Sequence, residues 1–330
     1  MSADSVEQPG QRGGSAAPDD SWFECACGQR HWGRFGAAGL LVSSGTRVLL
    51  QLRAARSDQG GTWGLPGGAR LSGETALAAA LREAGQEIGL TPDSVEPRWW
   101  VIADHHGWAY TTIGVEAVND SVVGQLNWET ERLEWVELDQ VVSYKLHPGL
   151  RQIWPELVKL VGRRAVLVVD GANVVGSRPD GWWRDRAGAA RRLRDQLEVL
   201  PGRQPSGEEG LGDGIGRQEP NPPDGTRRRN PPLTNAGLAN LAGGQPAGWY
   251  PEVVLIVEGK ARGIGQGANV RVIDAPGEGD DQIVAETRRL VALNRGPVDV
   301  VTADKGLIRR LHQAGAGIMR PGALLARLTE

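Results

Sequence analysis

Four short runs in the second half of the chain, RAVLVVD (164–170), EVVLIVEG (252–259), VRVIDAP (270–276) and VDVVTAD (298–304), are almost continuously apolar and rich in valine. A strand with one wet face alternates. A strand that is apolar at nearly every position has to be covered on both faces, as in a parallel sheet flanked by helices. The stretches between the runs, about WRDRAGAARRLRDQLEVL, DDQIVAETRRLVAL and KGLIRRLHQAG, carry helical spacing. Residues 163–330 therefore read as an α/β domain on a parallel sheet. Gly, Pro and charge dominate residues 201–248, which interrupt this domain and are expected to be disordered over most of their length.

Before residue 160 the rhythm differs. AAGLLV, RVLLQLRA, WWVIADHHGWAYTTIGVEAV and RLEWVEL read as strands with a helix among them, a mixed order rather than a regular strand–helix alternation. HPGLRQIWPELVKLVGRR reads as a helix and a basic joint. A length of 330 residues fits two domains, expected over 33–155 and 163–330. Residues 1–32 read as a disordered tail and a short Cys/His segment, with no charged-then-apolar leader. No apolar stretch of about 18 residues is present, which excludes an ordinary membrane-spanning helix. Cys25 and Cys27 are the only cysteines, and a reducing cytoplasm is the expected setting. The formal net charge of −3 implies no bulk attraction to nucleic acid or membrane, so any such binding has to be local. Oligomeric state is not legible.

Residues 67–90, GGARLSGETALAAALREAGQEIGL, carry the sharpest chemistry of the first half. At 3.6 residues per turn Leu77, Ala80, Leu81, Ala84 and Ile88 form one apolar stripe, and Glu83 and Glu87, at i and i+4, stand at its edge. Like charges at that spacing repel by a few tenths of a kcal/mol in an isolated helix. A divalent cation such as magnesium, which favours carboxylate and phosphate oxygens, reverses that repulsion. A solvated acidic face is the alternative.

The stretch reads Gly68, five residues, Glu74, seven residues, then Arg82-Glu83-Ala84-Gly85-Gln86-Glu87-Ile88-Gly89-Leu90. This pattern resembles the signature of the Nudix hydrolase superfamily. The resemblance implies a mixed sheet sandwiched by helices and magnesium- or manganese-dependent hydrolysis of a nucleoside diphosphate linked to another group. By the same resemblance Glu83 and Glu87 ligate metal, Arg82 and Glu74 brace the helix, and Gly68 shapes the loop. Gln86 stands where the family usually has a metal-binding glutamate. Its amide can still offer an oxygen but removes one negative charge, so weaker metal affinity is expected. His105, His106, Trp108 and Tyr110 are open to two readings, base stacking or catalysis on one side and strand packing on the other. Trp63, Trp128 and Trp135 read equally as core. Cys25, Cys27 and His31 look like half of a zinc knuckle, short of the usual four ligands.

In the second half each strand run ends on or near an acid: Asp170, Glu258 and Asp304, with Asp280 and Asp281 opening a helix. Ligands of parallel α/β sheets sit at the carboxyl ends of the strands, where these acids would gather. Single acids there are ordinary caps, but a group of them calls for divalent metal. VVDGANVVGS, GEGDDQIV and VVTADKGL resemble the NYN branch of the PIN-like nucleases, metal-dependent enzymes on a Rossmann-like sheet. The resemblance places Asp170, Asn173, Asp280, Asp281 and Asp304 in a metal cluster, with Glu258 a further candidate, and makes RNA a candidate substrate. Arg178, Trp182, Trp183, Arg184 and Arg186 supply phosphate and base contacts, or equally an ordinary helix with arginines laid over a tryptophan. Arg227–Arg229 offer further basic charge.

The sequence thus reads as a two-domain α/β protein, a metal-dependent diphosphate hydrolase joined to a ribonuclease. The alternative is a nucleotide-sensing first domain controlling an RNA-cleaving or RNA-binding second one.

Overall fold

The computed structural model describes residues 21–25, 28, 30–105, 107–119, 124–200 and 246–329. The expected tail 1–20, Cys27, His106, Arg227–Arg229 and most of the insertion, 201–245, lie outside the described residues.

A two-stranded hairpin, β1 (Trp22–Glu24) with β2 (Arg30–Trp32), comes first, over the short Cys/His segment. It packs through Phe23 and Cys25 against Ala37, Trp108 and Tyr110. The main strands follow: β3 (Ala37–Ser44), β4 (Arg47–Arg53), β5 (Trp63–Gly64), β6 (Gly67–Ala69), β7 (Val95–Asp104), β8 (Ala109–Ala117) and β9 (Thr130–Glu137). The long run 99–118 is two antiparallel strands that turn back at 105–108. β3 runs parallel to β8, and every other pairing in this sheet is antiparallel, so the sheet is mixed as expected.

Alternation along β3 explains the sandwich. Ala38, Leu40 and Val42 face helix α1 (Ala76–Ile88), which contributes Leu77, Ala80, Ala84 and Ile88 to the same core. Leu41 faces the other side, with Leu150, Ile153, Trp154 and Leu157 of α2 (Pro148–Leu157). Thr75 caps α1 by accepting from Ala78 N–H, and Gly89 ends it in the left-handed region at φ 66°, where a side chain would strain. Leu157 and Leu160 are fully buried in this first core, so it reaches past the expected boundary at 155.

The valine-rich runs form β10 (Val166–Asp170), β12 (Glu252–Val257), β13 (Val270–Asp274) and β14 (Val298–Val301), joined by an edge strand β15 (Gly317–Met319). The order is β13-β12-β10-β14-β15, all parallel. Helices α3 (Gly171–Gly176), α4 (Arg186–Leu197) and α7 (Pro321–Thr329) cover one face. Helices α5 (Gly279–Ala292) and α6 (Lys305–Gln313) cover the other. Both faces are buried, which accounts for runs with no polar alternation.

One feature corrects the expected insertion. Residues 248–249 are not a loose end but strand β11 (Gly248–Trp249), paired antiparallel with β7 at the edge of the first sheet. Tyr250 follows into the first core, edge-on to Trp100 at 4.9 Å. A Cβ on Gly248 would lie 2.0 Å from the Trp100 ring, so only glycine admits that pairing. The chain therefore visits the first sheet again before completing the second. Among the described residues no helix is long and apolar enough to cross a membrane.

Candidate functional site

The turn before α1 brings β6 beneath the helix, and each acid of α1 meets a different partner. Arg82 is the centre of a brace: its guanidinium donates to Glu74 Oε1 and Oε2 at 2.9 Å each, to Glu83 Oε1 at 2.7 Å and to the Ala69 carbonyl at 2.8 Å. Leu71 N–H donates to Glu74 as well, at 2.9 Å. Burial pushes the Glu74 carboxyl up, but the Arg82 and Leu71 hydrogen bonds outweigh it and hold the group below its ordinary value. Gly68 lies directly under Glu83: a Cβ there would fall 2.6 Å from the carboxylate carbon. Residue 68 is glycine because Glu83 occupies the space.

Glu87 departs from the expected solvent-edge position. It is 2% exposed, and its Oε2 accepts from Gly67 N–H at 2.8 Å. Burial raises its carboxyl to about 7, with Glu83 and Glu129 adding like charge and the bonds from Gly67 and Gln51 opposing. Gln51 on β4 is buried. Its Nε2 donates to Thr130 Oγ1 at 2.8 Å, while its Oε1 has no hydrogen-bond partner. Glu83 and Glu129 lie near enough to Glu87 to raise it, and carboxylate oxygens of this kind are hard donors that suit a divalent cation such as magnesium or manganese. As placed, no three His, Cys, Asp or Glu side chains among the described residues already stand as a metal-binding group. Gln86 is exposed on α1.

The aromatic candidates divide between the hairpin, the cores and the surface. Tyr110 packs with the hairpin, and burial together with the charges of Glu87 and Glu83 raises its phenol. His31 stacks on Trp108 at 4.1 Å and lies 4.8 Å from His105. Burial, then the neighbouring His105, lowers its imidazole to about 4. Cys25 Sγ donates to the His105 carbonyl at 2.7 Å. Trp63 is buried and Trp135 partly so, but Trp128 is 59% exposed beneath the Arg56 guanidinium, which corrects its reading as core.

The second acid group sits at the carboxyl ends of the parallel strands, where the order switches between β10, β12 and β14. Asp170, Asn173, Glu258, Asp280 and Asp304 line an open cavity of about 250 Å3. Asp170 is buried; it accepts from Thr302 Oγ1 at 2.9 Å and from Asn173 N–H at 3.0 Å, capping α3. Burial raises its carboxyl to about 6, and Asp280 and Glu258 add to the rise. Asp280 is raised by burial and then by Asp304. Glu258 accepts from Gly279 N–H at 2.6 Å, and Asn173 Oδ1 from Ala303 N–H at 2.8 Å. Asp281 parts from the cluster: it is exposed and paired with Arg310 outside the cavity lining. Arg178, Trp182, Trp183 and Arg184 do not line the cavity either. Trp183 is 58% exposed, whereas Trp182 packs on the second core beneath Arg186.

A model of the NUDIX domain family matches residues 33–157. A Mycobacterium tuberculosis protein named "Putative 8-oxo-dGTP diphosphatase 3" is 43% identical over 151 residues, 42% of this chain and 68% of that protein. The chain belongs to the Nudix family. A "Nucleoside triphosphate pyrophosphatase/Nudix hydrolase fusion protein" of Bifidobacterium longum is 42% identical over 148 residues, 42% of this chain but 30% of that protein. The chain thus spans under a third of the fusion protein's length. The solved Nudix hydrolase RenU from M. smegmatis is 42% identical, covering 42% of this chain and 92% of that one, with a TM-score of 0.40.

Two residues beside the Nudix helix escape the sequence reading, Gln51 and Glu129. Gln51 lies on β4 and Glu129 just before β9, and the pairing of those strands, with Gln51 bonded to Thr130 79 positions away, brings both near Glu87. Neither lies at a fixed spacing from the α1 motif, and no signal in one sequence marks them.

Proposed function

We propose that the Nudix unit hydrolyses a nucleoside di- or triphosphate derivative at a diphosphate bond with magnesium or manganese. The observation that carries this reading is Glu87, a buried carboxylate beside Glu83 and Glu129 with no cation of the chain paired to it among the described residues. Glu83, Glu87 and Glu129 would hold the metal, which when bound neutralises the diphosphate and acidifies a water. The chain's own residues do the rest. Arg82 fixes Glu83, Gly67 N–H fixes one oxygen of Glu87, and the Glu74 brace keeps α1 in register with β6. The name of the M. tuberculosis relative makes 8-oxo-dGTP the first substrate to test. Incubating the purified chain with magnesium and a panel of nucleoside diphosphate derivatives and 8-oxo-dGTP should give hydrolysis that Glu83→Gln abolishes. Equal turnover by that variant would defeat the reading.

A second reading concerns the parallel-sheet unit. We infer that it is an NYN/PIN-like, metal-dependent nuclease on RNA, supported by Asp170, Glu258, Asp280 and Asp304 around one cavity at the strand ends. The acids are hard oxygen donors, and burial followed by their mutual repulsion raises Asp170 and Asp280, so the set fits magnesium or manganese. Cleavage of a generic RNA that persists in Asp170→Asn would defeat it. The sensing alternative for the Nudix unit rests on Gln86: diphosphates that bind without turnover, and that turn over in Gln86→Glu, would establish it.

A further inference from the structure

At the amino-terminal ends of the parallel strands, opposite the acid cavity, lies a second cavity of about 380 Å3 lined by Arg164, Val166, Glu252, Arg271, Arg289 and Arg295 among others. Its walls belong to a continuous ion ladder that crosses between the two units. Arg98 pairs with Glu116 on the Nudix sheet, and Glu116 with Arg164 at 2.8 Å. Arg164 then pairs with Glu252 at 3.2 Å, and Glu252 with Arg271 at 3.5 Å. Arg271 and Arg289 both close on the buried Glu286, at 2.5 and 2.7 Å. Arg98 also pairs with Glu96, so the ladder sets four arginines against four glutamates, and the surplus charge at the cavity is that of Arg295, on the loop after α5, which makes no ion pair among the described residues.

We infer that this cavity binds a phosphorylated small molecule. Glu286 is 6% exposed and fixes two guanidinium groups from behind, so their planes are set before any ligand arrives. Arginine forks arranged this way match phosphate oxygens, and a pre-organised fork loses little freedom on binding. Arg164, just before β10, Arg271 on β13, Arg289 on α5 and Arg295 after it thus line, with the one carboxylate of Glu252, an open volume at the small end of the range for ligand sites. Because Arg164 also holds Glu116, a bound anion would draw on the same guanidinium that ties the second unit to the Nudix sheet.

The test uses the full chain in a chelating buffer, where the acid clusters lack metal and repel anions. Calorimetric titration with inorganic pyrophosphate and with AMP should show binding of at least one, weakened about tenfold in Arg289→Ala and in Arg295→Ala. Glu83→Gln and Asp170→Asn should bind as the parent does. AMP bound more tightly than pyrophosphate would make the ligand a nucleotide, and the reverse a bare diphosphate. Arg295 is exposed and outside any helix, so Arg295→Ala keeps the test readable even if Arg289→Ala unsettles α5. Failure of both probes to bind the parent, or unchanged binding in both arginine variants, overturns the inference.

Discussion

Glu83 on the Nudix helix and Glu258 at the end of β12 each lie over a glycine, Gly68 and Gly279, but only the first is locked from the side by an arginine. In the Nudix unit Arg82 binds Glu74, Glu83 and a β6 carbonyl, so one charge is held in place before any metal arrives. In the parallel-sheet unit the acids are set by backbone N–H groups and a threonine, and Arg310 pairs with Asp281, outside the cavity lining. Fixed carboxylates favour one geometry. Carboxylates held through caps leave the ion more freedom.

The largest effects separate the two sites outright. Glu87→Gln should lower diphosphate hydrolysis about a thousandfold, as expected when several kcal/mol of metal stabilisation is lost, and leave RNA cleavage as it was. Asp170→Asn should do the converse. Parallel assays of both substrates on both variants check this, and a shared loss would mean that the units act as one. Next come the glycines. A Cβ at residue 68 must displace a carboxylate that Arg82 will not release, and a displacement of about 1 Å is worth about a hundredfold in rate. Gly279→Ala meets Glu258 Oε2 at 2.7 Å, but that carboxylate is held by a backbone N–H rather than by an arginine, so its RNA cleavage should fall less. Equal losses would erase the distinction.

What was legible followed from local geometry. The Arg82, Glu83 and Glu87 triad lies within one helix, so spacing alone brings it together, and the doubly buried strands 166–170, 252–257, 270–274 and 298–301 show in composition. Contacts made by sheet pairing were not legible. Gln51 and Glu129 join the site only through β4 and β9, and β11 is two residues that follow a long insertion. Asp280 and Asp281 are adjacent at a helix start, and no periodicity says which one faces the cavity; packing of α5 against the sheet decides for Asp280. Trp128 reads like any strand tryptophan until the fold leaves it at the surface.

A smaller effect comes from the hairpin, which packs on Tyr110, whose phenol is raised by burial and then by the charge of Glu87. His31 is held neutral, with its value lowered to about 4 from 6.5. The folded state therefore disfavours the proton that the unfolded chain accepts. Its contribution is whole above pH 6.5 and is lost as pH falls from 6.5 toward 4. Amide exchange of residues 22–32 should speed up over that window while β10 and β12 stay protected. His31→Phe keeps the stack on Trp108 and should remove the dependence; if it does not, another group governs the hairpin.

The smallest effect belongs to Gln86. Its side chain is exposed on α1, one residue before the buried Glu87, so a carboxylate there would act on the metal through solvent. Screened charges of that kind are worth at most about 1 kcal/mol, so Gln86→Glu should tighten magnesium by only about threefold to fivefold. The gain should shrink further as salt rises. Glu83→Gln, by contrast, removes a charge that Arg82 positions beside the desolvated Glu87, and its loss should barely respond to salt. Titrating magnesium against hydrolysis at two ionic strengths distinguishes the cases. A salt-independent gain of a hundredfold in Gln86→Glu would mean that residue 86 turns inward when metal binds and that the fixed geometry of the Nudix site is itself induced.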